Sequence, residues 1–107
     1  MKVRIIETPA IDSTHEHHIL LEGSLIVSNI ERIKRTVLEA LQQHQNIRIQ
    51  LCNVEILDLS ALQILYALRR AAKTESKIIH LDMHLSEELQ TMVRQSGLDR
   101  KFNYMAS

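Results

Sequence analysis

Apolar and polar positions along the chain fall into short blocks that switch between a period near two and a period near 3.6. Lys2–Glu7 alternates imperfectly, with Val3 and Ile5 on one face, and Pro9 ends it, which predicts an edge strand. Ile11–His15 is polar enough for a turn. His18–Glu22 is apolar in its middle and stops at Gly23, predicting a second strand able to pair antiparallel with the first. Ser24–Val27 reads as a loop, despite its aliphatic side chains. Ser28-Asn29-Ile30-Glu31 has capping-box spacing, in which the Ser hydroxyl and the Glu carboxylate each take up a free N–H of a helix start. Behind it Ile30, Ile33, Val37, Ala40 and Leu41 recur at helical spacing, with Glu31, Arg32, Lys34, Arg35 and Glu39 turned outward.

Ile47–Leu51 predicts the third strand, and Cys52–Leu57 a connection. The helix that follows, from Leu59 to Ala72, carries Leu62, Leu65, Leu68 and Ala72, with Ile64 and Tyr66 widening the apolar face. So broad a face predicts a helix covered on two sides, or one that offers apolar surface to a partner. Arg69, Arg70 and Lys73 suit its C-terminal dipole and need no ligand. Lys77–Met83 predicts the fourth strand. Ser86–Gln95 predicts a third helix, capped by Ser86, with Glu87 and Glu88 in its first turn and Leu89, Met92 and Val93 inward. Gly97 fits the position just past its end, with Leu98 packing back. In the tail from Asp99, Phe102 is the candidate for an apolar contact. The order β-β-α-β-α-β-α over a single domain, residues 1–107, specifies an α/β fold. Its small mixed sheet opens with an antiparallel hairpin and continues through parallel neighbours joined by right-handed crossovers, with helices packed on it.

Between the third strand and its helix, Asp58 and Ser60 are the only polar side chains in Ile56–Leu62. Each is a good N-cap, and Ser60-Ala61-Leu62-Gln63 also has capping-box spacing, so either residue could serve the helix and nothing more. The stretch Ile47-Arg48-Ile49-Gln50-Leu51-Cys52-Asn53-Val54-Glu55-Ile56-Leu57-Asp58-Leu59-Ser60-Ala61-Leu62 resembles, without a gap, the core segment of the STAS domain family, the anti-sigma factor antagonists. There a hydrophobic strand runs through a short turn into Asp-Ser-Ser/Thr-Gly-Leu and directly into a helix. The resemblance extends from about Leu20 to about Leu98. It implies a STAS-like fold, with Ser60 at the phosphoacceptor hydroxyl and Asp58 at the leading aspartate. It further implies a regulatory domain that binds a serine kinase/anti-sigma factor when Ser60 is unmodified, is released by phosphorylation, and is restored by a phosphatase. Asp58, Leu59, Ala61 and Gln63 would form the contact edge with Ser60, and Ser24, Leu25 and Ile26 would lie beside it. Three positions depart from the pattern: Leu59 replaces a small polar residue, Ala61 replaces Gly, and Ile26 replaces an aspartate associated with nucleotide binding, which is therefore not carried over.

A phosphate at a helix start has a physical logic of its own. It brings about −1.5 to −2 charges and three acceptor oxygens. The dipole and free N–H groups accommodate it within the fold, while a partner packed flat on the same helix end meets a desolvated dianion.

Composition narrows the alternatives. Thirteen basic and thirteen acidic residues cancel, and with one Phe, two Tyr and no Trp there is neither a field to attract nucleic acid nor a platform to stack its bases. Cys52 has no partner for an internal disulfide. No stretch approaches the ~20 apolar residues of a membrane span, and no signal-peptide core follows Met1, so a cytoplasmic location is expected. Six histidines raise a metal site: His15 with His17, and His80 with Asp82 and His84, project to shared strand faces. A metal needs three or four such groups converging, and solvated histidines at strand ends account for these better. The serine lacks a Gly-x-Ser-x-Gly elbow, and Gly23 and Gly97, the only glycines, belong to no phosphate loop. The expectation is a protein-binding domain without catalysis, cofactor or metal. Its rivals are an unphosphorylated scaffold subunit of a transport or signalling complex, and a small metal-dependent enzyme.

Overall fold

The structure, a computed structural model, describes residues 2–8 and 16–98. The stop at Pro9, the turn at Ile11–His15, His15 itself and the tail from Asp99 with Phe102 lie outside the described residues.

Among the described residues, four strands and three helices follow the predicted order: β1 (Val3–Thr8), β2 (His17–Leu25), α1 (Val27–Gln43), β3 (Asn46–Leu57), α2 (Leu59–Thr74), β4 (Ile78–Met83) and α3 (Glu87–Ser96). The sheet order is β1-β2-β3-β4, antiparallel at its first pair and parallel at the other two. Because the parallel strands are added in one direction, right-handed crossovers carry α1 and α2 to the same face. Alternation within the strands follows from this. Ile19 and Leu21, Ile47, Ile49 and Leu51, and Ile79 and Leu81 are buried under the helices. Between them His18, Leu20, Arg48, Gln50, His80 and Asp82 stand half-buried on the other face. α1 contributes Ile30, Ile33, Val37, Ala40 and Leu41 to the core, as the spacing predicted. α2 buries Ala61, Leu62, Leu65, Tyr66, Leu68 and Ala72, a stripe wide enough to meet both the sheet and α1.

Two segments read as irregular are regular. β2 does not stop at Gly23 but passes through it to Leu25, with Gly23 at φ +97 and the Ser24 N–H donating to the Lys2 carbonyl at 3.0 Å. A Cβ at Gly23 would stand 2.5 Å from that carbonyl oxygen, so only glycine permits the close approach. Likewise Cys52–Leu57 is no connection: β3 runs on to Leu57. Its alternation breaks because β3 carries extra residues relative to β2, Leu21 facing Leu51, Gly23 facing Val54 and Ser24 facing Ile56, with Asn53 in the left-handed region at φ 51.

The helix starts also differ from expectation. Each strand enters its helix through one extended residue, Ile26 before α1 and Asp58 before α2. Ser28 and Ser60 therefore lie at the second helical position, and neither predicted capping box forms. Only α3 is capped as read, with the Leu89 N–H donating to Ser86 Oγ at 3.2 Å and Gly97 closing the helix at φ +80. Leu98 packs back into the core.

Candidate partner-docking site

Both crossovers leave the sheet at the C-terminal edge of its parallel strands, and the last residues of β2 and β3 are paired, Leu25 beside Leu57. That pairing brings the starts of α1 and α2 together. Asp58 ties them. Its N–H donates to the Leu25 carbonyl at 2.8 Å, and its Oδ2 accepts from the Val27 N–H at 3.3 Å. The carboxylate thus serves the first turn of α1, whose own N-cap residue, Ile26, has no acceptor, and makes no side-chain cap to α2. α2 starts instead on backbone alone, with the Ala61 and Leu62 N–H groups donating to the Asp58 carbonyl at 3.1 and 3.2 Å. The Asn29 amide steadies the same junction by donating to the Ser24 carbonyl at 2.8 Å.

Ser60 is exposed on the first turn of α2, and Gln63 is exposed one turn on. Asp58, Leu59 and Ile26 are half-buried, Leu59 against the core. Ser24, Leu25 and Ala61, expected at the contact edge, are buried at 4%, 0% and 0% exposure and offer a partner no side-chain surface. The reason is the longer β2 for the first two, since Ser24 and Leu25 belong to the strand, and helix phase for Ala61, whose methyl points inward. The Gly-to-Ala departure therefore adds no bulk to the outer surface. The exposed apolar side chains at this corner are ones the sequence did not single out, Val27 at 54% and Ile56 at 37%. The sequence pattern puts Val27 in a loop and Ile56 in a connection. Their exposure against a β-and-helix frame was the missing signal.

The sheet's open face holds a second polar cluster. His18, Arg48 and His80 stand side by side in register on β2, β3 and β4. The Arg48 guanidinium donates through Nε and Nη2 to the Glu16 carboxylate at 3.0 and 3.2 Å, and through Nη1 to Asp82 at 2.6 Å. These bonds, Glu16's first and Asp82's second, raise the Arg48 pKa above its ordinary value. His18 and His80 approach the same Glu16 carboxylate at 3.9 and 3.7 Å. His17 faces the other way: it is buried, stacked on His44 with ring centroids 4.3 Å apart, and its Nε2 lies 2.9 Å from Glu7 Oε1. Of the two histidine groups weighed as a metal site, His17 and the His80–Asp82 pair thus sit on opposite faces, His15 lies outside the described residues, and a permanent cation, Arg48, bridges Glu16 and Asp82. The described residues hold no group of three His, Cys, Asp or Glu side chains placed to share a metal ion. Among them, no helix is long and apolar enough to cross a membrane.

Comparison with known proteins completes the picture. Among curated proteins none matches the sequence. Among solved structures the chain is similar to the anti-sigma factor antagonist SpoIIAA in its unphosphorylated form. The identity is 16%, the alignment covers 86% of this chain and 99% of that one, and the TM-score is 0.56, a likeness of fold. The family model described as "Mlab, STAS domain" matches residues 10–105. The small mixed sheet, the strand that runs straight into α2 and the match over nearly the whole chain agree: this chain belongs to the STAS domain family.

Proposed function

We propose that the chain is a regulatory, non-enzymatic domain that binds a protein partner through the corner where α1 and α2 begin, with Ser60 as its control point. The observation that carries this reading is the exposure of Ser60 on the first turn of α2, with no capping duty, at the junction that Asp58 ties to exposed Val27 and that follows exposed Ile56 near the end of β3. Ile26, Val27, Ile56 and Leu59 give a partner apolar surface, and Asp58, Ser60 and Gln63 give it polar specificity. The partner is a serine kinase of the anti-sigma kind, which binds while Ser60 is unmodified. Phosphoryl transfer breaks the bond between the β and γ phosphates of its ATP and forms the Ser60 Oγ–P bond. ADP leaves, and the hydroxyl proton passes to a base on the kinase. The product places a dianion in a contact that must be dry to bind, and the partner is released. A phosphatase resets the switch by hydrolysis. Such a cycle belongs in the cytoplasm, where ATP is at hand.

A second reading, a permanent subunit of a transport or signalling assembly, draws on the same exposed Val27 and Ile56, because lasting interfaces are the more apolar ones. One experiment separates the two. The protein is incubated with ATP and a serine kinase of the anti-sigma kind from the same organism, and intact mass and peptide mapping locate any added phosphoryl group. A single group on Ser60, absent from Ser60→Ala, supports the switch. An unmodified chain whose Ser60→Ala and Ser60→Asp variants bind the partner equally supports the permanent subunit.

A further inference from the structure

α1 begins without an acceptor of its own, because Ile26 stands where Ser, Thr, Asp or Asn would ordinarily cap. The missing acceptor arrives from 31 residues further along the chain, as Asp58 Oδ2. Asp58 in turn leaves the first turn of its own helix without a side-chain cap, two residues before Ser60. We infer that Asp58 is a positioning residue that holds the start of α1 against the start of α2, and that a phosphoryl group on Ser60 loosens this hold.

The inference rests on Ser60 as phosphoacceptor for its biological use, and on geometry for its physics. A phosphoserine at the second position of α2 has free N–H groups and the positive end of that helix dipole to receive it. Asp58 is held at its side chain by one 3.3 Å bond to an exposed N–H, already near the limit for a hydrogen bond. Two anions now share one corner, and the one held by less gives way. α1 then loses its borrowed cap, and Ile26 and Val27, two of the four apolar residues of the docking surface, lose their fixed position relative to Leu59 and Gln63. Release of a partner would thus combine charge at the contact with loosening of the surface that made it.

The test reads amide exchange of Val27 and Ser28 by NMR, with circular dichroism confirming that each protein is folded. Asp58→Ala should speed exchange at the start of α1 about 2- to 30-fold, the range a lost helix cap gives. Adding Ile26→Ser, which gives α1 a neutral cap of its own at the Ser28 or Asn29 N–H, should slow exchange at Ser28 again without restoring Asp58, and should leave Val27, which such a cap does not reach, still fast. Phosphoserine installed at position 60 during synthesis should reproduce the Asp58→Ala acceleration. The same phosphoserine in Asp58→Asn, whose amide oxygen still accepts but carries no charge, should leave Val27 protected, and this pair carries the test if Asp58→Ala does not fold. Unchanged exchange at Val27 in Asp58→Ala, or on phosphoserine in the otherwise wild-type chain, overturns the inference. Because the phosphoserine is installed directly, failure of a kinase to act on Ser60 overturns the switch reading alone.

Discussion

Gly23 and Gly97 both adopt positive φ, at +97 and +80, yet the two positions ask different things of the residue. Around Gly97 nothing lies within 4 Å of an added Cβ, whereas at Gly23 it would meet the Lys2 carbonyl oxygen. Gly97→Ala should therefore cost only the left-handed strain, about 1 kcal/mol, while Gly23→Ala should cost several-fold more and loosen β1 from β2. Urea denaturation of both variants checks the ordering, and equal losses would remove the argument for close approach. Ser86→Ala should cost about 0.5–2 kcal/mol in the same assay through the lost bond to the Leu89 N–H. At this scale Ser86 and Gly97 were legible because capping is local. Asp58 was legible only as a residue at a helix start. Which helix its carboxylate serves depends on a contact across 31 residues, and no local pattern encodes that.

Strand lengths decided which side chains the docking corner could offer. Ile47–Leu51 was read as a strand because it alternates. Its continuation to Leu57 is hidden because the extra residues around Asn53 break the alternation, and the continuation of β2 through Ser24 and Leu25 is hidden for a different reason, since Gly23 reads as a strand end. The Glu16–Arg48–Asp82 cluster joins the residue before β2 to β3 and β4, and its sign in the sequence is Arg48, a charge midway through an apolar strand. Its worth can be measured against the Arg4–Glu22 pair, 3.4 Å apart with Arg4 73% exposed. Arg48→Met leaves the buried Glu16 without its cation and should destabilise by about 1–3 kcal/mol, whereas Arg4→Met should stay within about 1 kcal/mol. Similar losses from both would mean that the cluster behaves as an ordinary surface pair. Because the folded Arg48 pKa is raised, the contribution of its charge is complete below the ordinary arginine value and lost only as pH rises past the folded one. Moving from neutral to mildly alkaline buffer should therefore leave the difference between Arg48→Met and wild type unchanged.

For the molecule as a whole, element order was readable from spacing and caps, and with it the mixed sheet. The one-sided placement of α1 and α2 follows only once the strand order β1-β2-β3-β4 is known, and that order sets both helix starts on one edge. Ser60, at the second position of α2 and exposed, then stands where a charge can alter binding without entering the core. Ser60→Ala and Ser60→Asp should accordingly melt within about 0.5 kcal/mol of wild type, the range of surface changes. The most direct test of the account is the affinity of the proposed partner, a serine kinase of the anti-sigma kind from the same organism, for two otherwise identical proteins, one with Ser60 and one with phosphoserine installed at that position. Calorimetric titration should show binding to the first and at least about tenfold weaker binding to the second, since a desolvated, unpaired charge costs more than the ~1.4 kcal/mol that a factor of ten represents. Equal affinities would contradict the claim that Ser60 controls this surface.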